Sequence, residues 1–152
     1  MEENMKIVIN RCYGGFGLSY EGVMYYAKLK GIKLYAYVRK WEDNLWMDKP
    51  YNASDKTIIP FEKKKSRSSA VTIYYATKKG LKNEDELNKY SWSEHDIKRD
   101  DPALVKTVED LGERANTQYS ELKVIEIPDD VDWEITEHNN WEQVEEKHRV
   151  WT

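Results

Sequence analysis

Cysteine is almost missing from this chain. Cys12 stands alone among 152 residues, so no internal disulfide framework can form. At this length a chain buries roughly 70% of its extended surface, enough for a core without disulfides or metal. Long apolar runs are missing too: none approaches the ~18 residues expected of a membrane-crossing helix. Residues 1–6 carry no secretory signal pattern. A reducing, cytoplasmic setting with no membrane partner is therefore expected. Phenylalanine is scarce, with 2 residues against 11 Tyr and 6 Trp, so much of the apolar bulk sits in rings that carry a polar handle. No basic excess marks the chain as a nucleic-acid binder, since the formal net charge is −4. No diagnostic catalytic motif is present.

That net charge averages two unlike halves. Residues 1–82 hold 16 Lys/Arg and 8 Asp/Glu, a net of +8. Residues 83–152 hold 8 Lys/Arg and 20 Asp/Glu, a net of −12. An anionic ligand is thus sought in the first half, and a basic partner would be drawn to the second.

Hydropathy and punctuation give the order of elements. Residues 6–10 (KIVIN) read as a buried β-branched strand. Residues 11–18 (RCYGGFGL) form a glycine-rich turn. Ser19 has N-cap chemistry, with Glu21 in the first turn of a helix that Gly31 stops. Tyr20, Val23, Met24 and Ala27 share one face of that helix. Residues 32–38 read as a second strand. Residues 39–69 form a variable excursion, with a short hairpin at 56–61 and a basic run at Lys63, Lys64, Lys65 and Arg67. Residues 70–77 read as a strand, and 78–87 as a turn with a short acidic helical piece. Asp101 and Pro102 open the best helix, striped by Leu104, Val108, Leu111 and Ala115. Residues 122–127 form a strand that Pro128 stops, and residues 133–136 begin another. Asn140 with Gln143 resembles a capping box for a last helix through Trp141, Val144 and His148. The expected fold is α/β or α+β: one domain over residues 1–152, a mixed sheet of about five strands, and three helices.

The strongest candidate site is the loop from Asn10 to Ser19. A glycine-rich turn before a helix N-terminus offers backbone N–H groups to an anion. Gly14, Gly15 and Gly17 allow close approach, Arg11 adds charge, and Tyr13 and Phe16 can stack on a base. The same loop also reads as a tight turn whose rings pack on the core. It is not a phosphate-binding loop of the GK[ST] type. Tyr20 stands where a dinucleotide fingerprint needs its last glycine, and Arg39 and Lys40 follow the second strand in place of an acid. Arg99, ahead of a helix start, suits either an anionic ligand or an ion pair. His148, Arg149 and Trp151 give the chain a basic, aromatic ending that suggests docking on its own domain, over a pocket or in a dimer. The basic run at 63–67 suits phosphates or a solvated loop. Glu94, His95, Asp96 and Asp100 are possible metal ligands without a fixed spacing, while Asp101 has a capping job. Cys12 suits a nucleophile only with a histidine in contact, and a buried thiol otherwise.

At these residues a resemblance emerges. The stretches MKIVINRCYGGFGLS, DIKRDDPALVKTVEDLGERAN, ELKVIEIPDDVDWEI and EEKHRVW resemble the shared blocks of a widespread group of small proteins encoded by phages and prophages. The resemblance covers the first 38 residues and about the last 60. It implies action inside an infected bacterial cell. In outline the chain is similar to the Lockin and Sequestin families, oligomeric phage sponges for ADP-ribose-type Thoeris signals; no site residue is carried over from them.

Three readings follow. The first is a non-enzymatic, homo-oligomeric binder that needs no cofactor and sequesters a nucleotide-derived immune signal, of the cyclic ADP-ribose (Thoeris) or cyclic nucleotide (CBASS) type. The second is an interaction protein that inhibits a host enzyme through the acidic half. The third is a nucleotide-processing enzyme using Cys12, or the acidic cluster with a histidine.

Overall fold

A computed structural model describes residues 4–39, 56–62 and 72–146. The chain divides into two compact units, Met1–Gly31 with Glu94–Thr152, and Ile32–Ser93.

In the first unit, β1 (Asn4–Asn10) pairs antiparallel with β6 (Leu122–Pro128), Asn4 opposite Pro128 and Asn10 opposite Leu122. The β-branched run works as expected: Ile7, Val8 and Ile9 are fully buried. Helix α1 (Tyr20–Lys30) is capped by Ser19, whose Oγ accepts from the Gly22 amide, and closed by Gly31 in the left-handed region. Helix α3 (Pro102–Leu111) packs on α1, β1 and β6. Its cap, Asp101, accepts from the Ala103 amide at 2.9 Å, from the Tyr26 hydroxyl at 2.8 Å and from Lys30 at 3.3 Å. One capping carboxylate thus ties the two helices together. Burying Val23, Leu104 and the β1 triplet contributes about 1.5–3 kcal/mol per side chain.

The stripe on α3 is shifted from the expected one. Leu104, Val105, Thr107 and Val108 are buried, whereas Leu111 is half-exposed. The helix ends at Leu111, and Ala115 is buried from the 3-10 turn Gly112–Ala115 that follows. Thr107 is tolerated inside because its hydroxyl donates to the Ala103 carbonyl at 2.7 Å.

The chain's second half holds the main correction. The expected last helix is a strand. β7 (Trp133–His138) and β8 (Trp141–Glu146) form an antiparallel hairpin. Asn139 (φ 51°) and Asn140 (φ 67°) are both left-handed, the conformation of a two-residue hairpin turn that Asn tolerates. The expected helix rests on Asn140 with Gln143 as a capping box and on Trp141, Val144 and His148 at helical spacing, of which His148 lies outside the described residues. The most buried residue of β8 is instead Glu142, at 5% exposed, so the true burial pattern is hidden under a charge.

The second unit is an antiparallel sheet in the order β3-β2-β4-β5, from β2 (Tyr35–Arg39), β3 (Ile58–Pro60), β4 (Tyr74–Ala76) and β5 (Ser91–Trp92). Helix α2 (Glu84–Tyr90), capped by Asn83, is the third α-helix among the described residues. Tyr37, Ile58, Ala76, Leu81 and Leu87 form the core. The Tyr37 hydroxyl donates to the Lys78 carbonyl at 2.9 Å and accepts from the Leu81 amide at 3.3 Å, which fixes the turn after β4. The strand expected at 32–38 contracts to β2, the one expected at 70–77 holds β4 while its residues 70–71 lie outside the described residues, and of the expected hairpin at 56–61 residues 58–60 pair with β2. The basic run at 63–67 lies outside the described residues.

The class is α+β, as expected. Among the described residues the strands number eight and lie in three small antiparallel sheets, rather than in one mixed sheet of about five. Among the described residues, no helix is long and apolar enough to cross a membrane.

Candidate functional site

The loop between β1 and α1 lies wholly in the first unit. It begins with Asn10, which is fully buried and hydrogen-bonded on every side. Its Oδ1 accepts from the Glu121 amide at 2.9 Å. Its Nδ2 donates to the carbonyls of Cys12 (2.7 Å) and Asn140 (3.2 Å). Asn10 therefore joins the ends of β1 and β6 to the hairpin turn. Gly14 passes so close to Tyr119 that a Cβ on it would lie 2.2 Å from the Tyr119 carbonyl oxygen. Gly15 has a φ of 92°, a conformation that favours glycine. The Gly17 carbonyl accepts from the buried Ser120 hydroxyl at 2.9 Å. Ser19 caps α1, and its hydroxyl also donates to the Arg114 carbonyl at 2.5 Å.

Folding brings Arg99 to this loop. Its guanidinium lies 3.7 Å from the centre of the Phe16 ring, and its Nη1 and Nη2 reach the Glu142 carboxylate at 2.5 and 2.9 Å. This is a two-pronged, charge-assisted pair. The same carboxylate accepts from the Asn10 amide at 2.7 Å. A second acid, Glu94, accepts from the Leu18 amide at 3.1 Å. Burial pushes the Glu94 carboxyl above its ordinary range, against the Leu18 hydrogen bond and the neighbouring His95. Protein carboxylates thus occupy the amides at both ends of the loop. Phe16 lies beneath Arg99 with His95 at its edge, and Arg99 is held by a buried counter-charge.

What faces outward is different. Arg11 stacks its guanidinium 4.4 Å from the centre of the Trp141 ring and donates to the Glu142 carbonyl at 3.2 Å. Tyr13 lies 5.2 Å from the same indole, tilted by 47°, yet stays 63% exposed. The Asn140 side-chain amide donates to the Tyr13 carbonyl at 3.1 Å, which ties this part of the loop to the hairpin turn. Tyr119, 61% exposed, stands across Gly14. The result is one guanidinium and three rings gathered around the glycine turn.

The sequence-predicted residues therefore separate. Arg11 and Tyr13 stand at the surface; Asn10, Phe16, Gly17 and Arg99 build the interior beneath them. Gly14 and Gly15 shape the turn, and Ser19 is a cap. His148, Arg149 and Trp151 lie outside the described residues. Of the possible metal ligands, Glu94 is spent on Leu18, and Asp101 caps α3. Among the described residues, no group of three or more His, Cys, Asp or Glu could hold a metal ion. Sequence reasoning missed Glu142, Trp141 and Tyr119 as members of this site. The Asn-Asn pair between two apolar runs was the available sign of a hairpin that delivers the first two. Compared with protein-family models, curated proteins and solved structures, the chain matches none.

Proposed function

We propose that the Arg11–Tyr13–Trp141 face binds a planar, anionic small molecule of nucleotide type and holds it without turnover. The observation that carries this reading is Tyr13, left 63% exposed beside an indole that already bears a guanidinium. A purine or nicotinamide ring stacks on Tyr13 and Trp141, and Arg11 meets a phosphate. Exposed aromatic clusters mark binding surfaces. The phage setting, in which the ligand is a cyclic ADP-ribose-type or cyclic-nucleotide immune signal and binding is sequestration, rests on the sequence resemblance. Arg99 has no direct part in this reading, because Glu142 neutralises it.

Calorimetry with ADP-ribose, cyclic ADP-ribose and cyclic dinucleotides tests the proposal. Micromolar or tighter binding of at least one is expected. Stacking on an aromatic is worth roughly 1–3 kcal/mol per base, so Tyr13→Ala should weaken binding about 5- to 150-fold. Its side chain is exposed, so the fold should survive the change. Absence of binding to every member of the panel would overturn the reading.

A further inference from the structure

The two most exposed large apolar side chains among the described residues are Tyr13, at 63%, and Tyr119, at 61%. Gly14 stands between them. Tyr13 precedes it in the chain, about 3.8 Å away from Cα to Cα. The Cβ and carbonyl of Tyr119 fill the place that a Gly14 side chain would take. Yet the two rings are not a stacked pair. Tyr13 leans on the Trp141 indole and makes no ring contact with Tyr119. Each ring therefore presents its own surface to solvent.

Tyr119 is held firmly for so exposed a residue. Its amide donates to Thr117 Oγ1 at 3.1 Å, and the Thr117 amide donates to the Ser120 hydroxyl at 2.9 Å. Ser120 is buried and donates in turn to the Gly17 carbonyl. The Glu121 amide donates to Asn10 Oδ1. The turn around Tyr119 is thus fastened to the glycine loop, and its ring is left in water. A backbone fixed before binding has little freedom left to lose on binding, which favours affinity.

Charge limits where an anionic ligand can extend. On the hairpin, His138, Thr136, Gln143, Glu134 and Glu145 face the same way as Trp141. Glu134 and Glu145 stand directly opposite each other and are exposed, so that end of the strip repels a phosphate. The glycine turn carries no side chain at Gly14 or Gly15, and the Gly14 amide has no hydrogen-bond partner among the described residues. A phosphate thus finds a donor on the turn and a repulsion along the hairpin.

We propose that Tyr119 is a second stacking surface of the site, and that the ligand carries two bases joined through phosphate: a dinucleotide. One base lies on Tyr13 and Trp141, the phosphate bridge passes over Gly14 beside Arg11, and the second base lies on Tyr119. This rests on the binding role of the Arg11–Tyr13–Trp141 face and narrows the ligand class of that face.

The test is calorimetry of the full chain with AMP, which offers one base, and with the cyclic dinucleotides of adenine and guanine, which offer two. A cyclic dinucleotide should bind about tenfold tighter than AMP, or more. Tyr119→Ala should weaken the dinucleotide about 5- to 150-fold and leave AMP within about twofold. Tyr13→Ala should weaken both. Tyr119→Phe keeps the ring and should bind like the parent, which separates stacking from any disturbance of the turn. No binding of any member would overturn the role of the whole face, and this proposal with it. Three other results would overturn the second surface alone: AMP as tight as the dinucleotides, dinucleotide affinity of Tyr119→Ala within about twofold of the parent, or Tyr119→Phe as weak as Tyr119→Ala. An equal loss of AMP and dinucleotide in Tyr119→Ala would mean that both tyrosines grip one base, and would overturn the dinucleotide assignment.

Discussion

Removing the Glu142 carboxylate is the most severe test of how the loop is built. Glu142→Ala strips three hydrogen bonds at once: two from Arg99 and one from the Asn10 amide. Breaking a buried ion pair from one side costs about 3–5 kcal/mol, because a charge is left without its partner. Arg99 keeps a side-chain exposure of 21%, so water recovers part of that and the lower end applies. The Asn10 amide, left without an acceptor in the interior, adds about 1–3 kcal/mol. These losses share one carboxylate and overlap, so about 3–5 kcal/mol in total is expected. At 2–4 °C per kcal/mol for a chain of this size, the thermal midpoint should fall by roughly 6–20 °C. Urea unfolding of Glu142→Ala, Arg99→Met and the double variant supplies the cycle. A coupling of about 1–3 kcal/mol between the two sites is expected. A cost under about 1 kcal/mol for Glu142→Ala, with coupling under about 0.5 kcal/mol, would refute the buried-pair account.

Three further outcomes follow from the same geometry. Gly14→Ala should cost about 1–3 kcal/mol in urea unfolding, since its Cβ meets the Tyr119 backbone and the loop must shift. At the hairpin turn, Asn139→Gly should change stability by less than about 0.5 kcal/mol, while Asn139→Val should cost about 1–2 kcal/mol through its left-handed φ; equal effects would argue against the turn. Asp101 supplies a pH dependence. Burial raises its pKa, but the hydrogen bonds from Tyr26, Ala103 and Lys30 outweigh burial and hold it below the ordinary value. Its stabilising contribution is therefore complete above an unfolded-state pKa of about 3.9 and disappears as pH falls through the lower folded value. Asp101→Asn should flatten the acid limb of the stability profile, and an unchanged limb would contradict the assignment.

Local signals account for what could be read directly. Ser19, Gly31 and the Asp101-Pro102 pair mark helix ends within a few residues of themselves. The apolar runs of β1 and β6 need no partner to be recognised. The glycine loop was legible for the same reason, and so were Arg11 and Tyr13 on it. Glu142 could not be read this way. Its burial is offset by Arg99, 43 residues away, and by the amide of Asn10, 132 residues away. Without those partners, WEQVEE reads as a solvated helix with apolar residues three apart. Read as part of that helix, Trp141 has no reason to meet the glycine loop; the hairpin brings it there. Glu94 reads in the sequence only as a possible metal ligand without a fixed spacing; the structure gives its carboxylate the Leu18 amide. Charge partners distant in sequence are where pattern reading stopped.

The central claim is that carboxylates close the glycine loop from within and leave Arg11, Tyr13 and Trp141 as its binding face. The most direct measurement is the indole N–H resonance of Trp141 during titration with cyclic ADP-ribose and cyclic dinucleotides, with Trp133 as the internal reference. A saturable shift of Trp141 with at least one ligand, abolished in Arg11→Ala with Tyr13→Ala while Trp133 stays fixed, is the predicted result. A Trp141 resonance that moves with no ligand, or no further than Trp133, would contradict it.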